Sequence, residues 1–482
     1  MKNNNLEILE NRKIRVKVRM PNFYDVYLDQ TKKSYDFGTG VSSYCSDKIE
    51  MKFNEFGEYY SDVLSSDLSK EEIDFITSTS LVTNSNNIDR VSKGLFSKIP
   101  NIHFNKKIGY YSDLYVGYVK EGNYRENGSS GGFASWILNE LLKRKLIDGV
   151  IHVNATHDSK KLFKYSISRS EEEVNNGAKT KYYPVELSEV LKVIRNTPGK
   201  YAVIGLPSFI MELRLLCEAD PIMEDRIKYM VGLVCGHQKS TRFADLLAWQ
   251  CGIRPGNLNF IDFRKKMTDA PSSSYGIEVV GEQDGKRISK TLRMSELYGG
   301  DWGRGIFKVR ASDFTDDVMN EAADITLGDA WLPEYTKDPN GNNIVIVRNA
   351  EIAQIIKESI TSDKIHVDLV DENKIIQSQI SHYRHTQDEL HYRLYKKEKA
   401  GEWYPKQRIQ PSKNITVNRR IIQDIREKIC LKAPVYFNEA IEKDDLDYFI
   451  KKMSPMDNSY KLVYIMQRNI GRVKRIWCKK TI

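Results

Sequence analysis

Cysteine is scarce in this chain of 482 residues, and it is never closely spaced. The six thiols, Cys45, Cys217, Cys235, Cys251, Cys430 and Cys478, stand far apart with no C-x-x-C pair, which excludes a disulfide framework and any self-evident metal motif. Histidine is also thin, at eight residues. His382, His385 and His391 recur at helical spacing among many charges and read as a solvated helix face, so no metal is expected. No stretch reaches the roughly 18 apolar residues of a membrane span, and the opening MKNNNLEILENRKIRVKVRM lacks an apolar signal-peptide core. The expectation is a cytoplasmic protein. No basic stripe with interleaved aromatics occurs, so nucleic acid is excluded as a partner despite the formal charge of +9. Residues 401–482 carry 18 Lys and Arg against 9 Asp and Glu. Such a basic tail suits an acidic partner, a membrane surface or merely a solvated helix.

What is present is organised around GSSGGFASWILNELLKRKLIDGVIHV, residues 128–153. Ser129, Ser130, Gly131 and Gly132 can turn their N–H groups one way, and two residues without Cβ atoms let a ligand approach the main chain. Apolar residues at Phe133, Trp136, Ile137, Leu141 and Leu142 then follow a helical period. The helix start offers free donors and the positive end of its dipole, which favours a phosphate. The same residues also suit an ordinary turn with a Ser cap.

At 40% hydrophobic residues the chain is long enough for two or three domains. Residues 1–95 mix turns with strand-like runs, RKIRVKVRM and DKIEMKF. Within them, the single Cys45 cannot supply the four thiolates of a cluster. From 96 to 256 strands alternate with helices: YSDLYVGYV, DGVIHVNA, a helix ending at Pro198, KYAVIGLPS and IKYMVGLVCGH. This predicts an α/β (α+β) fold with a mixed, largely parallel sheet flanked by helices. Ligands of such sheets sit beyond the carboxyl ends of strands, here Gly205-Leu206-Pro207-Ser208 and Cys235-Gly236-His237. Residues 257–350 read as a β-rich extension and 351–482 as a helical segment. His237 has the near-neutral titration of a proton relay, or is a satisfied loop histidine. Arg264 and Lys265 are candidates for an anionic substrate, and Gly328-Asp329 for a ribose hydroxyl or a turn.

These turns, in this order, resemble the coenzyme F(420) hydrogenase/dehydrogenase beta-subunit family. The matching elements are Ser130-Gly131-Gly132, Ile147-Asp148-Gly149-Val150, Thr180-Lys181-Tyr182, Gly205-Leu206-Pro207-Ser208, Gly232-Leu233-Val234-Cys235, Phe263-Arg264-Lys265-Lys266 and Ala323 to Trp331. The resemblance implies an FAD-binding flavoprotein. It places the pyrophosphate at Ser129, Ser130, Gly131 and Gly132, and Lys181 at a phosphate or the flavin N1. Tyr182, Gly205, Pro207, Ser208, Gly328 and Asp329 would complete the pocket, with His237 and Lys181 as catalytic candidates. Residues 1–95 become a degenerate ferredoxin-like region, and 257–350 the second half of a flavin domain. The family's cluster cysteines correspond to Ser208, Val309 and Ser312, and neither a hydroxyl nor an isopropyl group is a thiolate, so no iron-sulfur cluster is expected. The implied activity is hydride transfer between a small-molecule donor, reduced nicotinamide or deazaflavin, and the flavin. A glycan precursor of bacterial surface polysaccharide is the implied substrate class. The alternative is a non-catalytic scaffold that keeps the fold and binds a partner. Self-association into a homo-oligomer is left open.

Overall fold

The computed structural model describes residues 23–65, 67–156 and 158–480, with side chains described from 24 to 468. The run RKIRVKVRM and the side chain of Cys478 lie outside the described residues. β1 (Ile49–Phe53) and β2 (Tyr59–Val63) form a hairpin, and β3 (His103–Asn105) and β4 (Gly109–Tyr111) a smaller one. There follow β5 (Asp113–Val119), β6 (Gly149–Ala155), β7 (Phe163–Ser168), β8 (Tyr201–Gly205) and β9 (Ile227–Leu233). β10 (Leu258–Lys265), β11 (Gly276–Gln283) and β12 (Lys286–Arg293) build a separate antiparallel sheet. β13 (Ile325–Asp329), β14 (Asn343–Val347) and β15 (Ile365–Leu369) complete the set.

Eight strands make the main sheet, in the order β15-β5-β14-β13-β9-β8-β6-β7. Its centre, β13-β9-β8-β6, is parallel, and antiparallel strands flank it on both sides. The α/β fold with a mixed sheet is therefore the one present. β14 is antiparallel to both β13 and β5, so β5 points the same way as the centre. Five carboxyl ends, those of β5, β6, β8, β9 and β13, consequently share one edge of the sheet.

The apolar runs of the central strands follow from cover on both faces. Ile151, Val203 and Met230 pack on one side with Phe209, Ile210 and Leu213 of the helix Pro207–Ala219. Their neighbours Val150, Ala202 and Val231 pack on the other with Phe133, Trp136 and Ile137 of the helix Phe133–Lys143. The stretch 257–350 is divided: β10, β11 and β12 stand apart, whereas β13 and β14 enter the main sheet. Their apolar runs explain this, since four of the five β14 residues are buried. The small sheet packs through Phe263 and Val279 against the helices Thr241–Gln250, Val417–Lys443 and Leu446–Lys480. Among the described residues no helix is long and apolar enough to cross a membrane.

Arg348, just past the end of β14, is fully buried and cements this edge of the main sheet. It donates to Thr326 Oγ1 at 2.7 Å, Ile108 O at 3.1 Å, Ala323 O at 3.2 Å and Met319 O at 3.3 Å. Burial lowers its pKa to about 10. Arg348→Met strips these oxygens of a donor they cannot replace with water, and is expected to cost ~3 kcal/mol or more in a denaturant titration.

Candidate functional site

The turn at Gly128–Gly132 lies over the carboxyl end of β5, because Val119 N donates to Gly131 O at 2.9 Å. Gly132 caps the following helix with φ +89°, a left-handed conformation that favours glycine. A Cβ there would stand 2.7 Å from Arg125 N, and one on Gly131 would stand 2.6 Å from Gly117 O. The protein's own backbone thus takes up the space that the two missing Cβ atoms leave. The two serines lock the turn. Ser129 Oγ accepts from Thr180 N at 2.8 Å, and Ser130 Oγ donates to Asn342 O at 2.9 Å. Phe133 N, at the helix start, faces Asn343 Oδ1 at 3.4 Å.

Cations surround this turn. Lys266 Nζ donates to Ser130 O at 3.2 Å and to Arg125 O. Lys181 Nζ donates to Ala178 O at 2.8 Å and to Gly177 O. Lys179 pairs with Asp262 at 3.5 Å, and Arg125 with Asp338 at 2.5 Å. Lys181 and Lys266 differ from these two: among the described residues neither has a carboxylate within ion-pair distance. Burial pushes the Lys181 ammonium down to about 7 against the pull of Asp262. Burial, with Lys179 and Arg125 adding repulsion, lowers Lys266 to about 8. Two half-buried ammonium groups held only by neutral carbonyls favour an incoming anion.

Beside the turn, Arg264 Nη1 donates to Asp329 Oδ2 at 2.9 Å and to Tyr182 OH at 3.3 Å. Its guanidinium lies 4.2 Å from the Tyr275 ring and 5.3 Å from that of Trp331. Although burial opposes its charge, Asp329 and Tyr182 hold its pKa above the ordinary value. Arg264 is therefore an internal tie and not a receptor for substrate. Lys265 is turned away as well, paired with Glu278 at 2.6 Å in the small sheet. Lys266, just past the end of β10 and after an irregularity in its register, reaches the turn instead. Asp329 is committed to Arg264, and Gly328 O accepts from Asn343 Nδ2 at 3.1 Å.

Gly205, Pro207 and Ser208 form a second group at the end of β8. Gly205 O accepts from Asn320 Nδ2 at 3.0 Å, and Pro207 begins a helix. Gln238 bridges the positions that the resemblance aligns with cluster cysteines: its Nε2 donates to Ser208 Oγ at 3.2 Å and its N to Ser312 Oγ at 3.0 Å. Its carbonyl accepts from Val309 N at 3.0 Å. Ser208, Gln238, Ser312 and Cys235 border a cavity of about 20 Å³. Burial pushes the Cys235 thiol up to about 12. Hydrogen-bonded hydroxyls, an isopropyl group and one protonated thiol do not fit an iron-sulfur cluster. Among the described residues no group of three His, Cys, Asp or Glu is arranged to hold a metal ion.

His237 lines the same cavity, its Nε2 buried without a hydrogen-bond partner. Burial, then Lys239, Lys308 and Arg426, push its pKa well below the ordinary value. Its charged form is therefore disfavoured there. The solvated histidine face is corrected. His385 is buried, and His382 packs against Gly236 with Nδ1 2.8 Å from Gln379 Oε1. A wide helical turn, Arg384–Asp388, directs this segment inward. Trp302 joins the two groups, its ring 4.5 Å from Tyr182 and 4.8 Å from His237. Arg125, Lys179, Lys266 and Trp302 escaped the sequence reading as site residues. Of these only Lys266 sits in a recognisable motif.

Arg264→Met leaves Asp329 without its cation at the junction of the two sheets. It is expected to lower stability by about 3 kcal/mol in chemical denaturation, and Asp329→Asn by at least as much, because it leaves the more deeply buried Arg264 charge without a counter-charge.

Comparison with known proteins sets this geometry in a family. Residues 114–192 match the family model for the N-terminal part of the coenzyme F(420) hydrogenase/dehydrogenase beta subunit, and residues 199–373 match the model for its C-terminal part. No curated protein matches. Among solved structures, the F(420)-reducing NiFe hydrogenase complex from Methanosarcina barkeri, in a xenon derivatization study, is similar at 14% identity, covering 61% of this chain and 96% of that chain with a TM-score of 0.46. The two family models follow one another in chain order across more than half of the residues, with Lys181 in the first match and Lys266 in the second. This chain belongs to the coenzyme F(420) hydrogenase/dehydrogenase beta-subunit family.

Proposed function

We propose that the chain is an FAD-dependent oxidoreductase that works without iron-sulfur clusters. The carrying observation is two half-buried lysines that lack carboxylate partners: Lys266 on the Ser130 carbonyl of the turn, and Lys181 next to Thr180, whose N–H bonds to Ser129. These ammonium groups suit a pyrophosphate. Lys181 and Lys266 would hold its charge, while the Ser129–Thr180 hydrogen bond keeps Lys181 beside the turn. Tyr182 and Trp302 provide an aromatic wall, and the neutral His237 offers a hydrogen-bonding edge next to it. When bound, FAD supplies two-electron hydride chemistry. That chemistry needs no one-electron relay at Ser208 and Ser312. A reduced nicotinamide or deazaflavin as donor and a glycan precursor as substrate accompany this reading on the resemblance alone.

The test is reconstitution with FAD, removal of free flavin and a visible spectrum. We expect one flavin per chain. Lys266→Gln should weaken FAD binding at least tenfold, about 1.4 kcal/mol, whereas Lys265→Gln at the neighbouring residue should leave it unchanged. A colourless protein that takes up no FAD would support the scaffold reading instead.

Affinity should also depend on pH. An anion stabilises the protonated lysines, so binding takes up protons when their free pKa values are about 7 and about 8. FAD affinity is expected to be highest below about pH 7 and to fall through about pH 9. Flavin fluorescence titrations in a pH series should show it, with the lower step absent from Lys181→Gln.

A further inference from the structure

The helices Leu390–Ala400 and Val417–Lys443 lie beyond the residues matched to the family. Against the short turn Arg310–Phe314 they enclose a second cavity, of about 290 Å³. Arg310, Arg393, Lys396, Lys397 and Arg426 line it against only three carboxylates, Asp313, Glu402 and Glu427. Those carboxylates are already engaged. Asp313 takes Lys308 and, at 3.6 Å, Arg393; Glu427 takes Lys396; Glu402 takes Lys397.

Two guanidinium groups are less fully matched. Arg426 is 7% exposed, and its Nε has no hydrogen-bond partner. The carboxylate it reaches, Glu389 at 3.5 Å, already receives Arg419 and Gln423. Arg310 rests 4.6 Å from the Tyr35 ring, donates to Lys33 O at 3.3 Å, and has no carboxylate within ion-pair distance among the described residues. A buried charge that shares its counter-charge with another cation, as Arg426 shares Glu389 with Arg419, is costly. Crowding is visible in Arg393, which burial first and then Arg426 lower to about 10 against the pull of Asp313.

We propose that this cavity binds a compact ligand bearing a phosphate or carboxylate group, at a site separate from the Ser129–Gly132 turn. A guanidinium fork matches either oxyanion with two parallel hydrogen bonds. The volume lies near the lower end for small-molecule pockets, about 300 Å³, which suits a small acid or a phosphorylated fragment and is too small for a dinucleotide. The site is also placed to sense the redox region, since Ser312 on the same turn bonds to Gln238 beside Ser208.

Calorimetric titration of the full chain carrying Lys181→Gln and Lys266→Gln, which removes both cations of the turn site, tests this with inorganic pyrophosphate and, separately, citrate at matched ionic strength. Saturable binding of at least one probe is expected, weakened tenfold or more by adding Arg310→Gln or Arg426→Gln. Whichever probe binds identifies the oxyanion. Arg310 is only half-buried, so its variant stays informative even if Arg426→Gln does not fold. Absence of saturable binding of both probes, or an affinity that Arg310→Gln leaves unchanged, overturns the proposal.

Discussion

The Arg264–Asp329 ion pair is the contact on which the arrangement of the site depends. It ties β10 of the small sheet to the carboxyl end of β13 in the large one. Aromatic rings on Tyr275 and Trp331 shield it from water, which strengthens the attraction and raises the cost of losing either partner. Because Arg264 is anchored there, Lys266 two residues later is carried to the carbonyl of Ser130. Tyr182 bonds to the same guanidinium, and Thr180 to Ser129, so the loop bearing Lys179 and Lys181 is clamped at both ends.

The glycines and the cations thus have separate tasks. Gly131 and Gly132 let the backbone of the turn press against Gly117 and Arg125, which fixes its shape. Charge for an anion comes from lysines in two distant parts of the chain. At the end of β8, Gln238 is hydrogen-bonded to both Ser208 and Ser312.

Much of the fold was legible because it rests on local periodicity. The apolar runs of β8 and β9 and the 3.6-residue spacing after Gly132 report burial directly. The shared edge of carboxyl ends followed from strands alternating with helices. Lys266 was less legible as a site residue than Lys265, since only the small sheet's registry decides which of two adjacent lysines faces the turn. His385 was misread because the charges around it, Arg393 and Asp313, are themselves buried and paired, and sequence cannot distinguish a buried ion network from a solvated face. The assignment of β13 and β14 to the main sheet is likewise a long-range pairing that no local pattern encodes.

The central claim is that the cationic turn receives the pyrophosphate of FAD. A crystal structure of the protein reconstituted with FAD tests it most directly, by locating the two phosphorus atoms. Their oxygens are expected within hydrogen-bonding reach of Lys181 Nζ and Lys266 Nζ, beside Ser129–Gly132. Phosphates bound elsewhere, with both ammonium groups still resting on their backbone carbonyls, would contradict it.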